Sequence, residues 1–242
     1  SFADEAYAAM RDDASRTPVF EEAIRQRLAE SPPHTLSILD IGTGPMALLA
    51  LISARAGARK VWAIEADPKA AARARAAVAA AGYAAVIEVI EGFSTQADLP
   101  VALLEEKVDL VVSEVAGSIA SEEGAFATMR DAHARLVKQP TRTDSWIPHG
   151  LQTWCVPASY SLHYALGAPS YRWGRLAEPL RLNCLDPAVQ MMSAPQLCET
   201  LNFADPLLPH AGASPPPVVC DFAIGAEQLA RNEVAYYRSL RR

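Results

Sequence analysis

Asp40, Gly42, Gly44 and Glu65 stand where a chain can grip a nucleoside. Residues 36–41, LSILDI, read as a buried strand that runs straight into Gly42 and Gly44. Glycine permits the sharp turn and lets a ligand approach the backbone closely. Pro45 stands at the start of the next helix, where its missing N–H costs nothing, and Met46 opens an apolar helical run. Twenty-five residues after Asp40, Glu65 closes a second strand, KVWAIE. An acidic side chain at that place accepts hydrogen bonds from a ribose diol. Two glycines alone also fit a tight strand-to-helix turn and nothing more.

Met46 stands where a third glycine is expected, so the ligand need not contain a pyrophosphate. That favours a nucleoside without phosphates, such as S-adenosylmethionine, over a dinucleotide. A further carboxylate, Glu114, ends the run KVDLVVSE, and Glu122 and Glu123 follow a short loop. In an open α/β sheet, ligands bind beyond the carboxyl ends of the strands, which puts Glu114 in the same crevice as Gly42 and Glu65. Glu122 and Glu123 also fit the first turn of a helix, where the helix dipole favours acidic side chains. That bland reading is preferred for Glu122.

The elements that must position these groups alternate. EEAIRQRLAE is an amphipathic helix stopped by Pro32 and Pro33, and MALLALISARAG a helix closed by Gly57. DPKAAARARAAVAAAG takes Asp67 as N-cap, Pro68 at its first position and Gly82 at its end. AAVIEVIEG and KVDLVVSEVA are strands, and EEGAFATMRDAHARLV is a helix. Alternation of this kind argues a parallel sheet with helices on its faces. The pattern changes near residue 146, which divides the chain into residues 1–145, N-terminal helices with a Rossmann-like nucleotide-binding domain, and residues 146–242, a β-rich unit. In that second unit LQTWCVPASYSLHYAL and PPVVCDFAIG read as strands, DPLLPHAGASPPP as a loop and ARNEVAYYRSLRR as a helical tail.

The 242 residues are half hydrophobic and 21% charged, with a net charge of −6. So acidic a chain matches phosphate backbones poorly and a cationic partner better. Direct nucleic-acid binding is not expected, nor, without a long apolar run, a membrane span. Cys155, Cys184, Cys198 and Cys220 lack metal-ligand spacing and read as buried reduced thiols. No metal is expected. Ser1 at the start, with no initiator methionine, reads as an excised fragment.

In ILDIGTG, GARKVWAIEA, EKVDLVVSEVAGS and SEEGA the chain resembles the protein arginine N-methyltransferases, with the motifs in the right order. The N-terminal MRDDASR resembles that family's helix over the cofactor, and WIPHGLQTWCVP its passage into a β-barrel substrate domain. The resemblance implies S-adenosylmethionine as cofactor and S-adenosylhomocysteine as product. It implies methyl transfer to a guanidino nitrogen of arginine in a protein or peptide, with a homodimer or a partner subunit and a cytoplasmic or nuclear place. The family's paired glutamates lie nine positions apart, which selects Glu114 and Glu123 as the catalytic pair. Met10 then lies near the sulfonium and Arg16 holds the methionyl carboxylate. At the adenine end, where the family's glutamate is replaced, Gly92, Phe93 and Ser94 offer backbone and stacking contacts.

The chemistry suits a guanidinium, which no simple base easily neutralises beforehand. Two carboxylates can grip its planar fork and draw positive charge toward the nitrogens they touch. The target nitrogen is left more nucleophilic, aligned with the methyl by proximity and electrostatics. Departures from the family pattern are Met46, Ala125 in place of a methionine, and no Thr-His-Trp loop. His163 and His210 lack that loop's context and read as surface or core histidines. The barrel is therefore expected to be truncated or divergent, with cofactor binding stronger than turnover. A weakly active or inactive structural or regulatory subunit stays open beside the enzyme, as does a small-molecule methyltransferase, which leaves the paired glutamates unexplained.

Overall fold

The computed structural model describes residues 4–96, 98–117, 119–122, 124–160, 189–210, 212 and 218–226. Five strands form a parallel sheet: β1 (Ser37–Ile41), β2 (Lys60–Glu65), β3 (Ile87–Glu91), β4 (Leu110–Ser113) and β5 (Trp146–Ile147). Their order is β3-β2-β1-β4-β5. The α/β class with a parallel sheet, expected from the alternation of elements, is the fold found.

β1 is buried at all five positions, as a central strand covered on both faces must be. Its side chains alternate between two cores. Leu39 and Ile41 join Trp62, Ile64, Val111, Met129 and Trp146 on one face. Ile38 joins Ile24, Ala50, Val61, Ala63, Leu110 and Val112 on the other. The helices are α1 (Asp4–Arg11), α2 (Thr17–Ala29), α3 (Leu48–Arg55), α4 (Pro68–Ala80), α5 (Val101–Glu106) and α6 (Ala125–Arg135). None of the described helices is long and apolar enough to cross a membrane.

α4 has the expected ends. The Asp67 side chain accepts from the Lys69 N–H, Pro68 opens the helix, and Gly82 beyond it has φ +78°. Other boundaries differ. α3 begins at Leu48, not at Pro45 or Met46, because Ala47 is left-handed at φ 47° and donates its N–H to the Gly44 carbonyl in a turn. α6 begins only after Gly124, left-handed at φ 79°. Glu122 therefore lies in the preceding turn, not in the first turn of a helix, and its Oε2 accepts from the Ile119 N–H. Glu123 lies outside the described residues. α5, between β3 and β4, was not anticipated from the sequence.

The chain falls into two compact units, Ser1–Gln152 with Thr200–Pro217, and Thr153–Glu199 with Val218–Arg242. β6 (Gly150–Cys155) pairs with β9 (Gln196–Asn202). β7 (Ala158–Tyr160) runs antiparallel to β8 (Val189–Met191), with Ala158 beside Met191. The stretch from Asp205, expected as a loop of the β-rich part, belongs instead to the first unit. Phe203 and Leu208 are buried in its core, and residues 208–210 form a 3₁₀ turn. Residues 218–225, expected as part of a strand, run as irregular chain, and Val218 and Val219 are exposed. His163, Cys184 and the tail from residue 230 lie outside the described residues. Cys155, Cys198 and Cys220 are unbridged and half-buried rather than fully buried.

Candidate functional site

The sheet register brings the chosen residues to one edge. Ile41 lies beside Ile64 of β2 on one side and Ser113 of β4 on the other, and Glu65 lies beside Glu91 of β3. Gly42, Glu65, Gly92 and Glu114 thus end or follow neighbouring strands at one level, beyond their carboxyl ends.

The turn after β1 is built from backbone. The N–H groups of Gly42 and Thr43 donate to the Ile64 carbonyl at 2.9 and 3.0 Å. Gly42 has φ +75°, and a Cβ there would lie 2.7 Å from Val115 Cγ1. The glycine therefore lets the loop after β4 close onto the turn. Gly44, at φ +67°, faces the Tyr7 ring of α1, which covers the turn. Gly42→Ala is expected to cost about 2–4 kcal/mol of stability, from the left-handed backbone and the contact with Val115. Urea unfolding measures it, and a cost under about 0.5 kcal/mol, the scale of an ordinary surface change, would contradict the close approach.

Glu65 fastens two loops at once. Its Oε2 accepts from the Gly44 N–H at 2.8 Å and its Oε1 from the Asp67 N–H at 2.9 Å. Each carboxylate oxygen keeps a second lone pair, so the group can still accept from a diol. The Gly92 N–H donates to the Glu65 carbonyl at 2.8 Å, holding the turn after β3 beside it. Phe93 there is 64% exposed, a ring face open to stacking. The Ser94 side chain is buried, and its carbonyl accepts from Arg135.

Asp40 lies beneath the turn, 1% exposed. Its Oδ2 accepts from Thr43 Oγ1 at 2.6 Å, and Oδ1 makes no hydrogen bond of ordinary geometry. Burial pushes its carboxyl up to about 7; Thr43 and the Ala50 amide offset part of this, and the charge of Glu65 adds to it. Asp40 therefore shapes the turn from below.

Glu114 and Arg16 meet. The Arg16 guanidinium donates to Glu114 Oε2, and each side chain is 28% exposed. Met10, in the last turn of α1, is half-buried, and its carbonyl accepts from Thr17 Oγ1, tying α1 to the start of α2. The ion pair lines a cavity of about 270 Å³ within the first unit, otherwise walled by Phe20, Val115, Met129, Leu151 and Phe203 among others. These wall residues are hard to read from the sequence because they come from five separate stretches of chain that meet only in the fold.

His133 of α6 was also missed. It is buried, stacked on Trp146 at 6.1 Å with an interplanar angle of 16°, and Trp146 packs on Phe203 at 5.9 Å. Among the described residues neither ring nitrogen has a hydrogen-bond partner. Desolvation lowers its pKa from 6.5, against an opposing pull from Asp205. The folded protein then binds the proton less readily than the unfolded chain, so stability is present above pH 6.5 and lost as the pH falls below it. His133→Phe keeps the stack without the titration. Its melting temperature should fall less than the parent's between about pH 7.5 and pH 5.5. Equal falls would show that His133 does not drive the acid loss. His210 is exposed on the 3₁₀ turn.

Comparison with known proteins agrees with this geometry. The family model of the ribosomal protein L11 methyltransferase (PrmA) matches residues 23–123. Protein arginine N-methyltransferase PRMT10 of Arabidopsis thaliana is 40% identical over 148 residues, 61% of this chain and 36% of its own length. The arginine N(omega)-methyltransferase of Streptomyces achromogenes subsp. streptozoticus is 37% identical over 130 residues, 54% of this chain and 34% of its own. The crystal structure of Arabidopsis thaliana protein arginine methyltransferase 10, described as uniquely open, superposes with a TM-score of 0.64 at 25% identity, covering 84% of this chain and 63% of that one. The chain spans about a third of the length of the curated relatives it matches.

The fold is that of the S-adenosylmethionine-dependent methyltransferases. Within that fold the chain is similar to the protein arginine N-methyltransferases, the family that its motifs resemble.

Proposed function

We propose that this protein transfers a methyl group from S-adenosylmethionine to a guanidino nitrogen of arginine in a protein or peptide. The observation that carries the reading is Glu114. Its carboxylate stands beyond the carboxyl end of β4, on the wall of a mostly apolar cavity, and there it already holds a guanidinium, that of Arg16. The donor set beside it suits the cofactor. Glu65 accepts hydroxyl protons, the left-handed Gly42 and Gly44 admit a close ligand, Phe93 offers a ring face, and Arg16 complements a carboxylate. Met10 is assigned to the neighbourhood of the sulfonium.

The cofactor supplies an electrophilic methyl group on sulfur. Glu114, with Glu123 as its proposed partner, holds the substrate guanidinium by charge-assisted hydrogen bonds and turns one nitrogen lone pair toward that methyl. As the nitrogen–carbon bond forms, the carbon–sulfur bond breaks, and a carboxylate can take the proton then lost from nitrogen. The apolar cavity keeps water from diluting these contacts. The β-rich unit is proposed as the substrate-holding part, of barrel type as in the family.

A labelled-methyl assay with mass spectrometry of the product tests the reading. A peptide of Gly-Arg-Gly repeats should gain 14 Da per methyl and its lysine counterpart nothing. Free arginine is the third arm, because the Streptomyces relative is named for arginine itself. No label on either arginine substrate, with the cofactor bound, would refute the proposal.

A further inference from the structure

We infer that Arg135 is a positioning residue for the base of the cofactor: it ties the turn after β3 to α6, and so fixes where adenine is held and how it is told from other bases. The inference rests on the function proposed above and goes beyond it, from which ligand binds to which side chain sets its selectivity.

Arg135 closes α6, and its guanidinium is held by one carboxylate. Nε and Nη2 donate to the two oxygens of Asp131, one turn back in the same helix, at 2.6 and 2.9 Å. A two-point grip of this shape fixes the plane of the group. Nη2 also donates to the Ser94 carbonyl at 2.9 Å, across 41 residues of chain. The two side chains are 37% and 22% exposed, and a partly solvated pair of this kind contributes little to stability by itself. What the arrangement supplies is orientation.

The part it orients is the turn proposed for the base. A base joined to a ribose on Glu65 must lie near Glu65, and the turn after β3 is fastened there, by the Gly92 N–H on the Glu65 carbonyl. The turn closes on itself through the Gln96 N–H, which donates to the Phe93 carbonyl at 2.9 Å. Between these two bonds stand the exposed Phe93 ring and the buried Ser94 side chain. Gly92 has φ +130°, a backbone state open chiefly to glycine, so the entry to the turn is a joint with freedom of its own. Arg135 holds the side beyond that joint. With the Ser94 carbonyl directed at α6, the Thr95 N–H of the same peptide plane must point the opposite way. α6 also carries Met129, on the cavity wall with Glu114. One side chain thus sets the distance between the turn for the base and the helix beside the proposed substrate.

A turn of backbone groups tells bases apart only if it stays in place. Adenine accepts at N1 and donates from its 6-amino group, whereas hypoxanthine donates at N1 and accepts at its 6-oxygen. A turn held in one position matches one pattern and opposes the other. A turn free to shift accommodates both, and stacking on a ring face does not distinguish them.

Calorimetry on the full chain tests this with S-adenosylhomocysteine and S-inosylhomocysteine, which differ only at the 6-position and in the proton on N1. The parent should prefer the adenine ligand by about tenfold or more, the effect of a hydrogen bond made against one opposed. Arg135→Met keeps an apolar stem and removes the donors. It should weaken S-adenosylhomocysteine by about five- to tenfold and S-inosylhomocysteine by less than about twofold, because the loss falls on the hydrogen bonds that depend on the turn. In the methylation assay its KM for the cofactor should rise by a similar factor with kcat within about twofold of the parent, since the base contacts are alike in the ground and transition states. Asp131→Asn loosens the guanidinium without removing it. It should shift the preference the same way by a smaller factor and add nothing to Arg135→Met.

Equal weakening of both ligands would make Arg135 a support of the fold alone and overturn the inference. An unchanged preference in Arg135→Met, or in Asp131→Asn should the first variant not fold, overturns it too, as does a parent that binds the two ligands equally. In each of these cases the proposed function stands. A parent that does not bind S-adenosylhomocysteine overturns the proposed function and the inference with it.

Discussion

Glu114→Gln is expected to lower methyl transfer by about 100-fold or more, which corresponds to about 2.7 kcal/mol or more of lost transition-state stabilisation. The amide keeps the shape of the side chain and one acceptor. It loses the charge that makes a hydrogen bond to guanidinium roughly twice as strong as a neutral one. Cofactor affinity should hold or rise slightly, because Arg16 is released from its partner. The two readouts together matter more than either alone. A variant that loses cofactor binding and activity in parallel would show Glu114 to be part of the cofactor site. Glu123→Gln should behave similarly, and the double variant should lose little more than either single one, since both carboxylates are proposed to grip one group. A Glu123 variant with full activity would remove that residue from the pair.

What could be read from the sequence follows how local its cause is. The ends of α4 were legible because Asp67, Pro68 and Gly82 act within a few residues of themselves. The carboxyl-end placement of Gly42, Glu65 and Glu114 was legible too, because a parallel sheet puts the ends of successive strands on one edge. The start of α3 was misjudged because Pro45 suits the first position of a helix, and nothing local marks Ala47 as left-handed. Glu122 was assigned to a helix that Gly124 in fact starts two residues later.

Contacts between distant segments were out of reach. The Arg16–Glu114 pair joins two residues to which the sequence assigns separate tasks, Arg16 at the methionyl carboxylate of the cofactor and Glu114 at the substrate guanidinium beside the cofactor. Phe203 and Leu208 read as part of a β-rich unit, yet pack in the first core, where Phe203 meets Trp146. Asp40 was chosen as a ligand-contacting residue on its position, and only the fold shows it 1% exposed beneath the turn.

That burial has a measurable consequence for stability. The Asp40 carboxyl titrates at about 7 in the folded protein against 3.8 for the ordinary group. As the pH rises, the unfolded chain gives up this proton first, and the folded protein keeps it until near neutrality. Across that window the native state binds more protons than the unfolded state, so this group's contribution to stability falls as the pH rises from about 4 to about 7 and then levels off. A gap of about three pK units corresponds to a loss on the order of 4 kcal/mol. Other carboxylates tilt the opposite way; Asp109, for one, is held below its ordinary value by Lys138 and Ser37 despite its burial. The parent's pH profile is therefore a sum, and a difference is needed to isolate Asp40. Asp40→Asn supplies it, because the amide has nearly the same shape, can still accept from Thr43 and does not titrate. Urea unfolding of both proteins between about pH 5 and pH 8 should show the variant gaining on the parent as the pH rises, by about 2–3 kcal/mol over that interval. The burial of an amide in place of Oδ1, which has no hydrogen bond of ordinary geometry, adds an offset that does not depend on pH. Parallel profiles would mean that Asp40 is ionised in the folded protein at its ordinary pKa, and that the turn above it is held over a buried charge.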